Sequence, residues 1–252
     1  MKLSGNTILI TGGGSGIGRA LAHRFHDLGN TVIVAGRTKA KLDDTIAGRD
    51  RMHAMTFDAG DAGSIEDLTA RVLDEHPALN VLMNNAGIMR YEDLLADPVD
   101  VEIAEATIAT NLLGPIRLTS ALLPHLRAQP RASVVNVTSG LAFVPWTKTA
   151  AYNATKAGLH SWTVALRHKL RQTSVDVIEI APPAVQTELT PGQSTREGYM
   201  PLEAFIDETM ANFEADPDAR ENLVKNVHFL RFAEAEGRFY ETVEQLNEAL
   251  GG

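Results

Sequence analysis

Residues 7 to 35 restrict the fold more than any other stretch. Thr7-Ile8-Leu9-Ile10 is a short, apolar, β-prone run. It enters Thr11-Gly12-Gly13-Gly14-Ser15-Gly16-Ile17-Gly18, and an amphipathic segment from Arg19 to Leu28 follows at once. Strand, glycine turn and helix in that order put unpaired N–H groups of a helix N-terminus, with their partial positive charge, beside backbone that a ligand can approach closely. Such a turn suits a diphosphate; a plain tight turn is the competing reading of the glycines alone. Gly29-Asn30 ends the helix and Thr31-Val32-Ile33-Val34-Ala35 supplies a second strand, so a right-handed crossover makes the two strands parallel. The spacing is Gly-x-x-x-Gly-x-Gly, not Gly-x-Gly-x-x-Gly, and no Gly-Lys-Ser/Thr follows as a nucleotide-hydrolase phosphate loop requires.

The alternation continues. Lys39 to Ile46 reads as a helix and Met52 to Phe57 as a third strand. Ser64 to Glu75 is a helix with Ser64 as N-cap and Asp67 three positions on. Asn80 to Met83 is a fourth strand, running into Asn84-Asn85-Ala86-Gly87. A long helix from about Val99 to Leu113 carries Asn111 inside an apolar run, where it is either satisfied by backbone or water or placed for function. Pro115 to Leu126 continues helically, Ser133 to Val137 is a fifth strand, and a helix bearing Tyr152 runs to about Gln172. Val175 to Ile180 is a sixth strand, ending at Ala181-Pro182-Pro183. This order predicts an α/β fold, a doubly wound parallel sheet of the Rossmann type with helices on both faces, in one domain over residues 1–252.

Beyond residue 183 the pattern weakens. Val185 to Pro201 is rich in Thr, Pro, Gly and Ser, and 185–215 reads as a substrate-binding loop or lid, with a plain connection as the alternative. Asp218 to Leu230 and Phe239 to Leu250 look helical, and the only faint candidate for a seventh strand lies at Arg238-Phe239-Tyr240.

In an open sheet of this kind ligands gather beyond the carboxyl ends of the strands. Gly36 stands where an acidic residue would take ribose hydroxyls, and Arg37 follows it. An Arg there accommodates a 2′-phosphate, which favours NADP(H) over NAD(H); a merely solvated Arg is the alternative. Asp58 closes the third strand, and Asn85, Ala86 and Gly87 let a flat cofactor lie against backbone at the end of the fourth.

Composition removes other classes. A net charge of −9 disfavours nucleic acid as the main partner, since a phosphate-binding surface needs clustered Lys and Arg. The chain has no cysteine, which excludes thiol catalysis, thiolate metal sites and disulfides. No run reaches the roughly 18 apolar residues of a membrane span, and the first residues lack signal-peptide character, so a soluble cytoplasmic protein with no membrane partner is expected.

The segment Ser139 to Lys156 holds an apolar loop between a hydroxyl and a Tyr/Lys pair. Tyr152 and Lys156 are four apart and share a helix face, where an ammonium favours the phenolate, making the pair a candidate acid/base at a carbonyl or alcohol. Taken alone, a Tyr on a helix and a Lys reaching water describe the same residues. Phe143, Trp146, Met89 and Tyr91, in loops after strand ends, are expected pocket walls that suit a fairly apolar substrate. His23 with His26 lacks a third metal ligand, and His160 and His168 read as structural or interfacial, so no metal is expected.

Together, Thr11-Gly12-x-x-x-Gly16-x-Gly18, Asp58, Asn84 to Gly87, Asn111, Ser139, Tyr152-x-x-x-Lys156 and Pro182 to Thr187 resemble the short-chain dehydrogenase/reductase family. The resemblance covers residues 5 to about 190. More narrowly, residues 140–145, 166–168 and 179–185 are similar to the oxidoreductases encoded in cell-wall D-alanylation operons. The resemblance implies that Tyr152 exchanges a proton with the substrate oxygen. Lys156 would bind the nicotinamide ribose and lower the Tyr152 pKa, Ser139 would hydrogen-bond the same oxygen, and Asn111 would hold a relay water. It further implies cofactor contacts from Gly12, Ser15, Gly16, Ile17, Gly18, Arg37, Asp58, Asn85, Ala86, Gly87, Pro182, Val185 and Thr187. A homodimer or homotetramer follows by the same resemblance. The chain departs at Pro183, where the family usually has Gly, and in its last 50 or so residues. Two other functions remain open: a catalytically weak NADP(H)-binding sensor or scaffold, and a sugar-nucleotide epimerase or dehydratase, whose relatives need a larger C-terminal domain.

Overall fold

In the computed structural model, which describes residues 1–251, seven strands form one parallel sheet in the order β3-β2-β1-β4-β5-β6-β7. The strands are β1 (Thr7–Thr11), β2 (Thr31–Gly36), β3 (Met52–Thr56), β4 (Val81–Asn84), β5 (Ala132–Val137), β6 (Val175–Ile180) and β7 (Glu221–Asn222). The helices are α1 (Gly16–Asp27), α2 (Lys39–Ile46), α3 (Ala62–Glu75), α4 (Glu102–Ile108), α5 (Gly114–Ala128), α6 (Ala150–Leu170), α7 (Leu202–Ala215), α8 (His228–Arg231) and α9 (Phe239–Leu250).

Strand residues point alternately to the two faces of a sheet, and both faces here are covered. On one face Ile8, Ile10, Val32 and Val34 pack with Leu21 and Phe25 of α1 and with Phe205 and Phe213 of α7. On the other, Leu9, Ile33, Leu82 and Val134 pack with Leu68 and Val72 of α3 and with Leu118 and Leu122 of α5. The apolar runs of β4 and β5 are accordingly buried at every residue. The chain winds outward from β1 to β3 and then returns to pair β4 on the other side of β1. The loops after β1 and β4 therefore part, and a crevice opens between them at the carboxyl edge.

Several expectations need correction. The helix after β3 is capped by Asp61, not Ser64: the Asp61 carboxylate accepts from the Ser64 amide at 2.6 Å, and the helix starts at Ala62. The predicted helix over 99–113 begins at Glu102, passes into a π turn at Ala109–Leu113, and runs directly into α5, because Pro115 falls in a first turn where its missing N–H costs no bond. The seventh strand is not at 238–240, which belongs to the start of α9. It is Glu221–Asn222, paired with Glu179 and Ile180 of β6. The predicted helix over 218–230 is thus replaced by that strand, a 3-10 turn at Lys225–Val227 and the short α8. A two-residue strand carries no alternation to read.

Candidate active site

The glycine turn is pressed against the end of β4. A Cβ on Gly12 would come 2.9 Å from Ala86 Cα, and one on Gly18 would stand 2.4 Å from both the Gly12 carbonyl oxygen and Asn85 Nδ2. Thr11 Oγ1 accepts from the amides of Asn85 and Ala86, each at 3.0 Å, while Asn85 Nδ2 donates to the Thr11 carbonyl at 2.9 Å. Ser15 is the N-cap of α1 but makes no side-chain hydrogen bond there, so the first-turn amides stay open to a ligand.

One cleft of about 460 Å³ begins at this turn. Gly12, Ser15, Gly16 and Ile17 line it, as do Asn85, Ala86 and Gly87; Gly18 does not, and its place is the contact with Asn85. Arg37 and Asp58 line the same cleft, although one oxygen of Asp58 already accepts from the Gly60 amide at 2.9 Å. Sequence reasoning missed Thr38 and Lys41, which flank Arg37 on the wall. For Lys41 the spacing was a readable signal, four residues beyond Arg37 in the first turn of α2; in the fold its Cβ stands 3.2 Å from where a Gly14 Cβ would be.

At the other end β5 delivers Ser139 and α6 delivers Tyr152 and Lys156, and all three line the cleft. The start of α6 is held by Glu92, whose carboxylate accepts from the Ala151 amide at 2.9 Å and fills one of the vacancies of the first turn. Lys156 Nζ donates to the Val137 carbonyl at 2.9 Å and lies 5.5 Å from the centre of the Tyr152 ring. The lowered Tyr152 pKa that the Tyr/Lys spacing implied is not what the chain alone produces. Burial pushes the phenol up to about 12, against the opposing pull of the Ser139 hydroxyl, and burial also brings Lys156 down to about 8, against the attraction of Glu179. In each case desolvation of the charged form outweighs the opposing neighbour.

Asn111 lies in the π turn, where Oδ1 accepts from the Ile88 amide and Nδ2 donates to the Ile88 carbonyl, both at 2.8 Å, and more weakly to Thr155 Oγ1 at 3.4 Å. Asn111 does not line the cleft, but a Cβ on Gly87 would stand 3.3 Å from Asn111 Oδ1 and 3.7 Å from Lys156 Nζ, so the two meet across that glycine.

Pro182, Val185 and Thr187 line the facing wall, together with Pro183. Of the four aromatic or apolar residues expected as pocket walls, only Met89 lines the cleft. Trp146 is buried with Tyr91 edge-on at 5.5 Å, and Phe143 turns to His160 at 4.8 Å. The loop 141–146 contributes nothing to the cleft wall; Arg90, Glu188, Leu189 and Gln193 stand there instead. A loop's direction depends on packing partners distant in sequence, which periodicity does not register. His23 and His26 are engaged structurally, at the Thr45 carbonyl and at Asp27 and Asp50.

Residues 6–198 match the family model for short chain dehydrogenases. The chain belongs to the short chain dehydrogenase family. It is 44% identical over 198 residues to the Bacillus subtilis (strain 168) protein named Uncharacterized oxidoreductase DltE, covering 79% of each chain. The likeness to oxidoreductases of D-alanylation operons rests on that relative. Sulfoacetaldehyde reductase 2 of Chromohalobacter salexigens is 34% identical over 190 residues, 73% of this chain and 74% of its own. A short-chain dehydrogenase from Sphingobium yanoikuyae, solved in complex with NADPH, shares the fold with a TM-score of 0.81 at 24% identity, covering 92% of each chain. Short chain dehydrogenases are oxidoreductases that bind nicotinamide cofactors. No helix among the described residues is long and apolar enough to cross a membrane.

Proposed function

We propose that this short chain dehydrogenase uses NADP(H) to move a hydride between the nicotinamide and a small to medium carbonyl or alcohol, with Tyr152 exchanging the proton. The observation that carries the reading is the convergence of Ser139, Tyr152 and Lys156 with the glycine turn in one cleft. The residues present fit the cofactor: open amides at α1 suit a diphosphate, and Arg37 with Lys41 suits a 2′-phosphate at a strand end with no acidic residue to repel it. The cofactor supplies the hydride; everything else falls to side chains. A phenol with a pKa of about 12 stays protonated at neutral pH and can hand its proton to a carbonyl oxygen as charge develops there. The Ser139 hydroxyl can donate to the same oxygen. Lys156 keeps a cation beneath the phenol and favours the phenolate that results. Asn111, through both its hydrogen bonds to Ile88, braces the Gly87–Ile88 backbone beside Lys156.

The substrate end of the cleft mixes apolar Met89, Leu189 and Pro183 with charged Arg90 and Glu188, so the substrate is less purely apolar than the 141–146 loop implied. The lid reading narrows to 185–201, because α7 is anchored through Phe205 and Phe213 in the core. A homo-oligomer belongs to the same reading, supported by the exposed apolar side chains Ile108, Leu113 and Val164 on α4, the π turn and α6. The deciding experiment is a carbonyl screen followed by NADPH oxidation, with Y152F as the control. Tyr152→Phe abolishes turnover and leaves cofactor binding intact; turnover retained by Y152F rejects the assignment.

A further inference from the structure

The loop after β6 is fastened to the cleft by a buried side chain. Gly192, in the left-handed region at φ 75°, turns the chain into a 3-10 turn at Gln193–Thr195, and Gln193 is left only 8% exposed. Its primary amide is fully engaged. Nε2 donates to the Val185 carbonyl at 2.8 Å and to Thr187 Oγ1 at 3.2 Å, and Oε1 accepts from the Thr190 hydroxyl at 2.8 Å. At the base of the loop the two limbs are joined by backbone instead: the Gln186 amide donates to the Met200 carbonyl at 2.9 Å, and the Met200 amide to the Ala184 carbonyl at 2.8 Å. Between base and tip, Gln186 Nε2 reaches the Arg196 carbonyl at 3.1 Å.

The acceptors that Gln193 takes belong to the cleft wall, which Val185, Thr187 and Gln193 all line. Thr187 faces the glycine turn, since a Cβ on Gly16 would stand 3.3 Å from Thr187 Cβ. At the other end the Pro182 carbonyl accepts from the Gly140 amide, next to Ser139, at 2.8 Å. Residues 182–187 thus span the interval between the open amides of α1, suited to a diphosphate, and the Ser139/Tyr152 pair. A nicotinamide has to lie in that interval to exchange a hydride beside Tyr152. The hydrogen-bonding substituent on its ring is a primary carboxamide, the same chemical group that ends a glutamine side chain. Buried acceptors such as the Val185 carbonyl are costly to leave unpaired, so both amides have reason to claim them.

We propose that Gln193 is a latch that competes with the cofactor for the Val185 carbonyl and the Thr187 hydroxyl. Its side-chain amide and the nicotinamide carboxamide claim the same two acceptors, so binding of the nicotinamide end displaces Gln193 and frees the 187–196 turn from the wall. The inference rests on the nicotinamide cofactor of the reading above, but not on turnover or on the choice between NADPH and NADH. The backbone bonds at the loop base are untouched by the exchange, which confines the motion to the tip. The cost of displacing Gln193 falls on the nicotinamide end of the cofactor and not on its diphosphate or adenosine end.

Calorimetric titration compares NADPH with 2′-phospho-ADP-ribose, the same molecule without its nicotinamide; NADH and ADP-ribose serve in the same way if NADH binds more tightly. Gln193→Ala should tighten NADPH roughly tenfold, the size expected when one or two hydrogen bonds are no longer contested, and leave 2′-phospho-ADP-ribose unchanged. Gln193→Met keeps the bulk, removes the amide and serves if Q193A folds poorly. Gln186→Ala loosens the loop without touching either acceptor and should leave both affinities in place. No gain, a weaker NADPH affinity, a gain shared by the two ligands, or a matching gain in Q186A overturns the proposal. In the unaltered chain, NMR of the Gln193 side-chain amide, assigned with Q193A, gives a second readout. NADPH should shift its signals and speed their exchange with water, and 2′-phospho-ADP-ribose should do neither; signals that NADPH leaves unmoved overturn the proposal. If both measurements come out as expected and no carbonyl is turned over, the functional reading fails and the latch stands.

Discussion

The Lys156 ammonium donates to the Val137 carbonyl at 2.9 Å while lying 5.5 Å from the centre of the Tyr152 ring, so a buried cation is tied to strand β5 beneath the phenol. Its pKa of about 8 stands below the ordinary 10.5, which makes it a stability liability. Below pH 8 the lysine is protonated in folded and unfolded chains alike, and the cost of burying its charge is fully present. As pH rises from about 8 toward 10.5 the folded state loses the proton first and the cost is relieved. Lys156→Met should therefore stabilise the protein at pH 7 by on the order of 1–2 kcal/mol, after allowing for the orphaned Val137 carbonyl. Chemical denaturation at pH 7 and pH 10 checks this: the advantage of K156M should be larger at the lower pH, and turnover should be lost at both.

Arg37 and Lys41 both line one end of the cleft, where the proposed reading puts a 2′-phosphate. Arg37→Ala should weaken NADPH binding roughly tenfold and leave NADH binding nearly unchanged, the size expected for loss of one charge-assisted contact. The double variant R37A/K41A should lose the preference altogether. Fluorescence titration with the two reduced cofactors measures both; equal losses for NADPH and NADH would show that Arg37 does not read the phosphate.

The sheet and the site were legible to different depths for physical reasons. β1, β2, β5, β6 and α2 were read within a residue or so, because buried parallel strands and amphipathic helices write continuous or periodic apolar runs into the sequence. The glycine turn and the Tyr152/Lys156 spacing were legible because they are local. Glu221–Asn222 was not, since two residues paired to β6 leave no pattern. Nor were the directions of Phe143 and Trp146, which are fixed by His160 and Arg231 and by Tyr91, residues remote in the chain. Proximity of Tyr152 to Lys156 shows in the spacing, whereas the burial that pushes the phenol pKa up in the cofactor-free chain does not.

Glu92 shows how a loop positions a helix. Its carboxylate accepts from Ala151 at the first turn of α6, and its own amide donates to the Lys148 carbonyl at 2.9 Å. A negative group there satisfies an orphan N–H and complements the helix dipole. Glu92→Ala should cost about 1 kcal/mol and lower the melting temperature by about 2–4 °C. Because Tyr152 lies one residue beyond Ala151, turnover should fall by more than the loss of folded protein explains; calorimetry beside single-turnover assays separates the two effects.

Gly18 tests whether the turn is set by close packing or only by flexibility. Its backbone is not in the left-handed region, so an alanine there carries no conformational penalty, yet its Cβ would sit 2.4 Å from Asn85 Nδ2 and from the Gly12 carbonyl oxygen. The backbone oxygen has nowhere to move, because the Gly12 amide itself donates a hydrogen bond to the Ala35 carbonyl at 2.7 Å. Gly18→Ala should destabilise the protein by about 1–3 kcal/mol through overpacking and prise β1 from β4 at the turn. Gly36→Ala is the matched control, since its Cβ would meet only Leu42 Cδ2 at an ordinary 3.6 Å and its φ is likewise not positive. Urea denaturation of the two variants decides the matter: equal stability would mean that the Gly12–Asn85 contact yields, and that the turn needs glycine at residue 18 for some reason other than space.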